Sequence, residues 1–208
     1  MSARWNAVRV IAWAAIAATV MMWAVLQMVG PDWKADVPNG ETAVPGSRMP
    51  VVAFKLVDHN GNRVTQSTFA DRPLAVFFGF THCPDVCPTT LQELATMLTE
   101  MGRDANEIQV LFISVDTERD TPSALESYIT AIDPRFVALT GSNEEVRSAA
   151  EGFRVYYKRI EQAGSASYSM DHTSTVFLMD RHHRFVSTID LHESRTMSLA
   201  KLKRLARS

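Results

Sequence analysis

Two short apolar runs constrain this chain more than anything else in it: LAVFFGF at 74–80 and VLFISV at 110–115. Each is short for a helix, and neither alternates with polar residues as a strand with one wet face would. Strands covered on both faces read this way. Between the runs, Leu91, Leu94, Ala95 and Leu98 recur at helical spacing over 89–101, and Gly102 stands where a helix can stop. A buried strand, a helix and a second buried strand imply a right-handed crossover within one sheet.

The flanking segments extend that pattern. Residues 51–57 and 64–65 bracket an Asn60-Gly61 turn and read as a hairpin. Thr121-Pro122 supplies a cap and a first helical residue for a helix through Ile132. Residues 136–139 form a short strand, and Ser142 with Glu145 fits a capping box for a helix ending near Gly152. Segments 155–160, 175–179 and 185–189 read as extended, and the basic stretch 198–207 as a closing helix. The expected class is a three-layer α/β sandwich around a central sheet. Sites in such sheets lie beyond the carboxyl ends of strands, and here residues 81–88 occupy that place.

From Val10 to Val29 the chain carries no charge, about the length that crosses a bilayer as a helix. Arg4 and Arg9 precede it, while Asp32, Lys34, Asp36 and Glu41 follow. That bias predicts a cytoplasmic N-terminus at 1–9, a single transmembrane helix at 10–29, and a domain on the exported side of the inner membrane. A cleaved signal peptide is the alternative, but Leu-Gln-Met-Val-Gly-Pro is a poor cleavage site. Residues 30–50, rich in proline and glycine, read as a linker, and 51–207 as one domain. The formal net charge of −2 leaves no basic footprint for nucleic acid.

The only cysteines, Cys83 and Cys87, lie in FGFTHCPDVCP, just past the first apolar run. Each precedes a proline, which places the helix start at Pro88 and both thiols on the loop entering its positive end. That field favours thiolate, which is both nucleophile and metal ligand. Three residues separate the thiols, one more than in a thioredoxin-type redox pair. Two exported cysteines could also form a structural bridge, although a domain of this size can bury a core without one.

A third donor would separate metal binding from redox chemistry. His59, His182, His183 and His192 read as solvent-facing turn residues. His82, adjacent to Cys83, points the other way in an extended chain. His172, in YSMDHTST before the strand at 176–179, qualifies only if its loop packs against the cysteines. Two thiolates and an imidazole would then suit Cu(I), with Cu(II) recruiting a further donor. Zinc would want a fourth protein ligand. Asp85 and Asp171 are candidates to tune such a site from outside.

FFGFTHCPDVCPTTL, ISVDTERDTP, VALTG, VYYKR and DHTSTVFLMD, in that order over 54–189, resemble the Sco/SenC family. The resemblance implies a thioredoxin-like fold with a mixed sheet and copper held by Cys83, Cys87 and His172. It implies delivery of copper to, or reduction of the cysteines of, the binuclear copper site of cytochrome c oxidase during its assembly. The copper-bearing subunit of the oxidase would be the acceptor, with other copper chaperones or thiol reductants as further partners. Thr117 stands where many members have proline, and Arg181-His182-His183 replaces a Pro-x-Gly turn. The competing reading is a thiol–disulfide oxidoreductase in which Cys83 attacks and Cys87 resolves. A thiol peroxidase finds no matching signature.

Overall fold

Six consecutive buried residues make each of the two central strands, β3 (Leu74–Gly79) and β4 (Gln109–Ser114). The computed structural model describes residues 13, 16–17, 19–24, 53–161, 167–190 and 192–208. The chain divides into units at Met1–Pro45 and Gly46–Ser208. In the second, the remaining strands are β1 (Lys55–Asp58), β2 (Arg63–Thr65), β5 (Val137–Thr140), β6 (Tyr157–Glu161), β7 (Tyr168–His172), β8 (Val176–Met179) and β9 (Phe185–Ile189). The helices are α1 (Val86–Met101), α2 (Pro122–Ile132), α3 (Asn143–Gly152) and α4 (Arg195–Leu205).

Among the described residues, seven strands form one mixed sheet in the order β2-β1-β5-β4-β3-β8-β9. The pairs β3–β4 and β4–β5 are parallel, and the outer pairs antiparallel. Alternation along the strands gives each face its own core. Ala75, Phe77, Phe112 and Leu178 meet Leu91, Leu94, Leu125, Ile129 and Leu202 on one side. Val76, Phe78, Leu111 and Phe177 meet Val146, Ala150 and Phe153 on the other. Helices thus cover both faces, and the expected three-layer thioredoxin-like sandwich is present.

Local chemistry sets the element ends. The Thr121 hydroxyl accepts from Ala124 N at 3.3 Å with Pro122 in the first turn of α2. Ser142 and Glu145 cap α3 reciprocally. Gly102, at φ 62°, ends α1. The β1–β2 turn is held by Asp58, whose Oδ1 accepts from Asn60 N and Asn62 N. The β8–β9 turn repeats the device with Asp180, which accepts from His182 N and Arg184 N.

Several expectations require correction. Helix α1 begins at Val86 rather than Pro88, so Cys87 lies inside its first turn. A proline there is tolerated because the first four N–H groups of a helix have no partner to lose. His183 is buried, not solvent-facing; it adopts φ 55° and its Nε2 lies 3.1 Å from Phe69 O. The half-buried ring of His59 accepts from Ala138 N at 3.1 Å.

The transmembrane helix at 10–29 is also not borne out. Among the described residues no helix is long and apolar enough to cross a membrane. The single-pass inner-membrane placement that rested on this span loses its support with it. The proposed cytoplasmic stretch 1–9, linker 30–50 and most of the 10–29 span lie outside the described residues.

Leu111 is fully buried on the central strand β4. Leu111→Ala is expected to destabilise the domain by about 2–5 kcal/mol, read as a lower urea midpoint with an unchanged denaturant slope.

Candidate metal centre

Strand β3 ends at Gly79, and the chain turns through residues 80–85 into α1. The turn is closed by Cys83 N donating to Phe80 O at 3.3 Å. Cys83 is half-buried, whereas Cys87 is fully buried against the strand it follows. Gly79 makes that approach possible, since a Cβ there would lie 2.8 Å from Cys87 Sγ and 2.7 Å from Phe112 Cε2. Neither cysteine is part of a disulfide.

The two sulfurs are electrostatically unequal. A hydrogen bond from the Cys87 thiol is the main influence lowering Cys83 to about 4. Partial burial opposes the shift, while the N–H groups of Cys87 and Asp85 support it. Cys87 N lies 3.4 Å from Cys83 Sγ. Cys87 moves the opposite way, because it hydrogen-bonds to the Cys83 sulfur and because it is buried. One thiolate and one thiol therefore share the site at neutral pH.

His172 reaches this pair from β7, which pairs antiparallel with β6 in a separate two-stranded ribbon. Its Nε2 lies 3.4 Å from Cys87 Sγ, and its Nδ1 lies 3.1 Å from Thr173 O. A carbonyl can only accept, so Nδ1 carries the proton and Nε2 presents a lone pair to the sulfurs. The edges of Phe77 and Phe80 close around the ring, at 6.2 and 5.8 Å between centroids. The donor atoms of Cys83, Cys87 and His172 all lie within 4.8 Å of one another. Sulfur and nitrogen bind a metal at about 2.0–2.3 Å, so two donors of one ion lie within roughly 4.6 Å. The residues present fit such an ion with small adjustments.

Asp85, the residue before α1, is exposed and accepts from Thr89 Oγ1 at 3.3 Å. Its backbone N–H, rather than its carboxylate, faces the Cys83 sulfur. Asp171 is exposed on β7, one residue from His172 and therefore on the opposite face. Two buried carboxylates in ISVDTERDTP were not singled out from sequence. Asp120 accepts from Thr81 N at 2.9 Å, Thr81 Oγ1 at 2.6 Å and Ser114 Oγ at 2.6 Å, tying the cysteine loop to β4. Asp116 pairs with Arg119 at 2.5 Å and accepts from the Tyr168 hydroxyl at 2.7 Å. His82, Asp116 and Asp120 form a second group of donor atoms. Its two carboxylates are already engaged as described, and His82 is exposed. Only burial distinguishes these aspartates from surface ones, and burial is not legible in a loop sequence.

The SCO1/SenC family model matches residues 46–207. A copper-bound ScoI of Bradyrhizobium japonicum is 42% identical, with 74% of this chain and 97% of that one covered and a TM-score of 0.68. For a copper-bound ScoI of Arabidopsis thaliana the identity is 33%, the coverage 74% and 96%, and the TM-score 0.70. An SCO2-like protein of Rickettsia prowazekii is 32% identical over 71% of this chain and 74% of its own length. The mitochondrial SCO2 homolog of Danio rerio is 39% identical over 64% of this chain, which spans only 48% of that relative.

Two outcomes are expected of the apo site. Because Cys83 is held near 4, its alkylation by iodoacetamide should stay fast from neutral pH downward and fall only as pH drops through about 4, while Cys87 resists. A rate falling tenfold per pH unit below neutrality would contradict this. Gly79→Ala should cost about 1–3 kcal/mol through overpacking and make Cys87 more reactive toward the same reagent.

Proposed function

The chain belongs to the SCO1/SenC family, and on that premise we propose that its domain at 51–207 is a copper chaperone for cytochrome c oxidase assembly. Cys83, Cys87 and His172 would hold one copper ion as cargo and pass it to the binuclear copper site of the oxidase. The observation that carries this reading is the approach of His172 Nε2 to Cys87 Sγ at 3.4 Å. A redox dithiol requires no such imidazole, whereas a soft ion held by two sulfurs gains a third donor from it. The relatives solved with copper support the same reading.

The unequal thiols define the exchange. Cys83 meets Cu(I) as a thiolate, and Cys87 loses its proton as it binds, so a single proton leaves per ion at neutral pH. The ion changes no oxidation state in this step. Half-exposed Cys83 is the sulfur an incoming donor can replace first, and buried Cys87 the last to let go. A sparse set of three donors lets the ion leave by stepwise substitution. Reloading would fall to another copper carrier, and a thiol reductant would keep the pair reduced.

The low-lying thiolate of Cys83 also suits attack on a disulfide, with Cys87 as resolving thiol. Cys83→Ala, Cys87→Ala and His172→Ala are each expected to weaken Cu(I) binding at least tenfold in chelator competition. Titration in buffers of different ionisation enthalpy should show the single proton. Stoichiometric Cu(I) retention by the cysteine variants would overturn the copper assignment. Normal oxidase assembly with His172→Ala would favour the reductase.

A further inference from the structure

Among the described residues, the ribbon that carries His172 pairs with no strand of the main sheet, so beyond the short link from His172 to β8 its side-chain contacts set where the imidazole sits. Tyr168, four residues before His172, shares its face of β7 along with Met170. Arg119 Cζ lies 3.7 Å from the centroid of the Tyr168 ring, and Arg159 Cζ 3.6 Å from it. Two guanidinium groups that close to one centroid occupy opposite faces of the ring. The Tyr168 hydroxyl donates to Asp116 Oδ1 at 2.7 Å, and Arg119 Nη1 donates to Tyr168 O at 3.0 Å. Arg159, on β6, is anchored to Glu118 at 2.7 Å. The loop between β4 and α2 thus grips the ribbon through one aromatic ring.

We propose that this clasp of Asp116, Arg119, Tyr168 and Arg159 is a positioning device that holds His172 at the two sulfurs. The inference rests on the copper reading above and deepens it. Arg119 is the joint: its guanidinium also lies 6.0 Å from the centroid of Phe80, the ring that meets His172 edge-on at 5.8 Å. One cation therefore touches both the strand bearing the imidazole and the aromatic wall behind it. Cation–aromatic contacts gain strength where water is partly excluded, and Asp116 is buried beneath. Burial and Asp116 raise the Tyr168 phenol to about 12, so it remains a donor across the neutral range. The five residue pairs of β6 and β7 do not depend on the clasp. Its loss would release the ribbon as a unit and take the imidazole with it, leaving Cys83 on its loop and Cys87 on α1 in place.

The test uses the full chain with Tyr168→Ala, Arg159→Ala, His172→Ala and the doubles of each clasp variant with His172→Ala. Cu(I) affinity is read by chelator competition, imidazole coordination by nitrogen hyperfine coupling in the Cu(II) form, and folding by thermal melts of the apo proteins. Tyr168→Ala is expected to weaken Cu(I) binding about ten- to a hundredfold, to lose the nitrogen coupling, and to add nothing to His172→Ala. Non-additivity is the signature of action through the imidazole. Wild-type nitrogen coupling in a folded Tyr168→Ala protein, or additive losses in the double variant, would overturn the clasp. If Tyr168→Ala does not fold, the partly exposed Arg159→Ala carries the same comparison, with a smaller non-additive loss expected. Wild-type copper binding by His172→Ala alone would overturn the copper reading itself, which separates the two failures.

Discussion

A sulfur with no exposed surface must be satisfied from within the protein, and the seating of Cys87 against Gly79 is the contact on which the rest of the site depends. The missing side chain at Gly79 lets the first turn of α1 press onto the end of β3. That closeness turns the Cys87 thiol toward Cys83 and exposes it to His172 Nε2. Phe77, Phe80 and Phe112 fill the remaining directions. Water is thereby kept from one sulfur and admitted to the other. In the proposed copper site, this difference in packing is what would separate an entry donor from a retaining one.

The three proposed donors come from two elements of the fold with different supports. The sulfurs belong to the central sheet and the helix packed on it, where burial is continuous and the loop is tied down by Asp120. The imidazole belongs to a two-stranded ribbon outside that sheet. A site divided in this way can change its donor number without disturbing its core. That property suits a cargo that must be both held and surrendered. A resident metal would gain more from three donors fixed on one rigid element.

The architecture was legible wherever it rested on local chemistry. The apolar runs at 74–80 and 110–115, the Thr121-Pro122 start, the Ser142–Glu145 box and the Gly102 stop all appear as read. Strand β7 was not, because YSMDH has no apolar run or clean alternation and is a strand only through its pairing with β6. The start of α1 departs from the reading because Cys87 is helical despite the extended preference of a residue before proline. His183 was misread because a histidine in a turn is normally wet, and only the fold brings Phe69 O to its ring. The charge-free segment at 10–29 matches the membrane criterion in composition, yet no helix among the described residues is long and apolar enough to cross a membrane.

By itself, the sequence determined the order of elements, the position of two thiols at a strand end, and the likeness that pointed to copper. Those follow from short-range rules: side-chain period, capping, turn chemistry and motif spacing. Only the tertiary structure decided that His172, eighty-five residues from Cys87, meets the sulfurs, and that the two sulfurs differ in burial and proton affinity. Distances across a sheet and exclusion of water are properties of packing, and no local pattern in the chain encodes them.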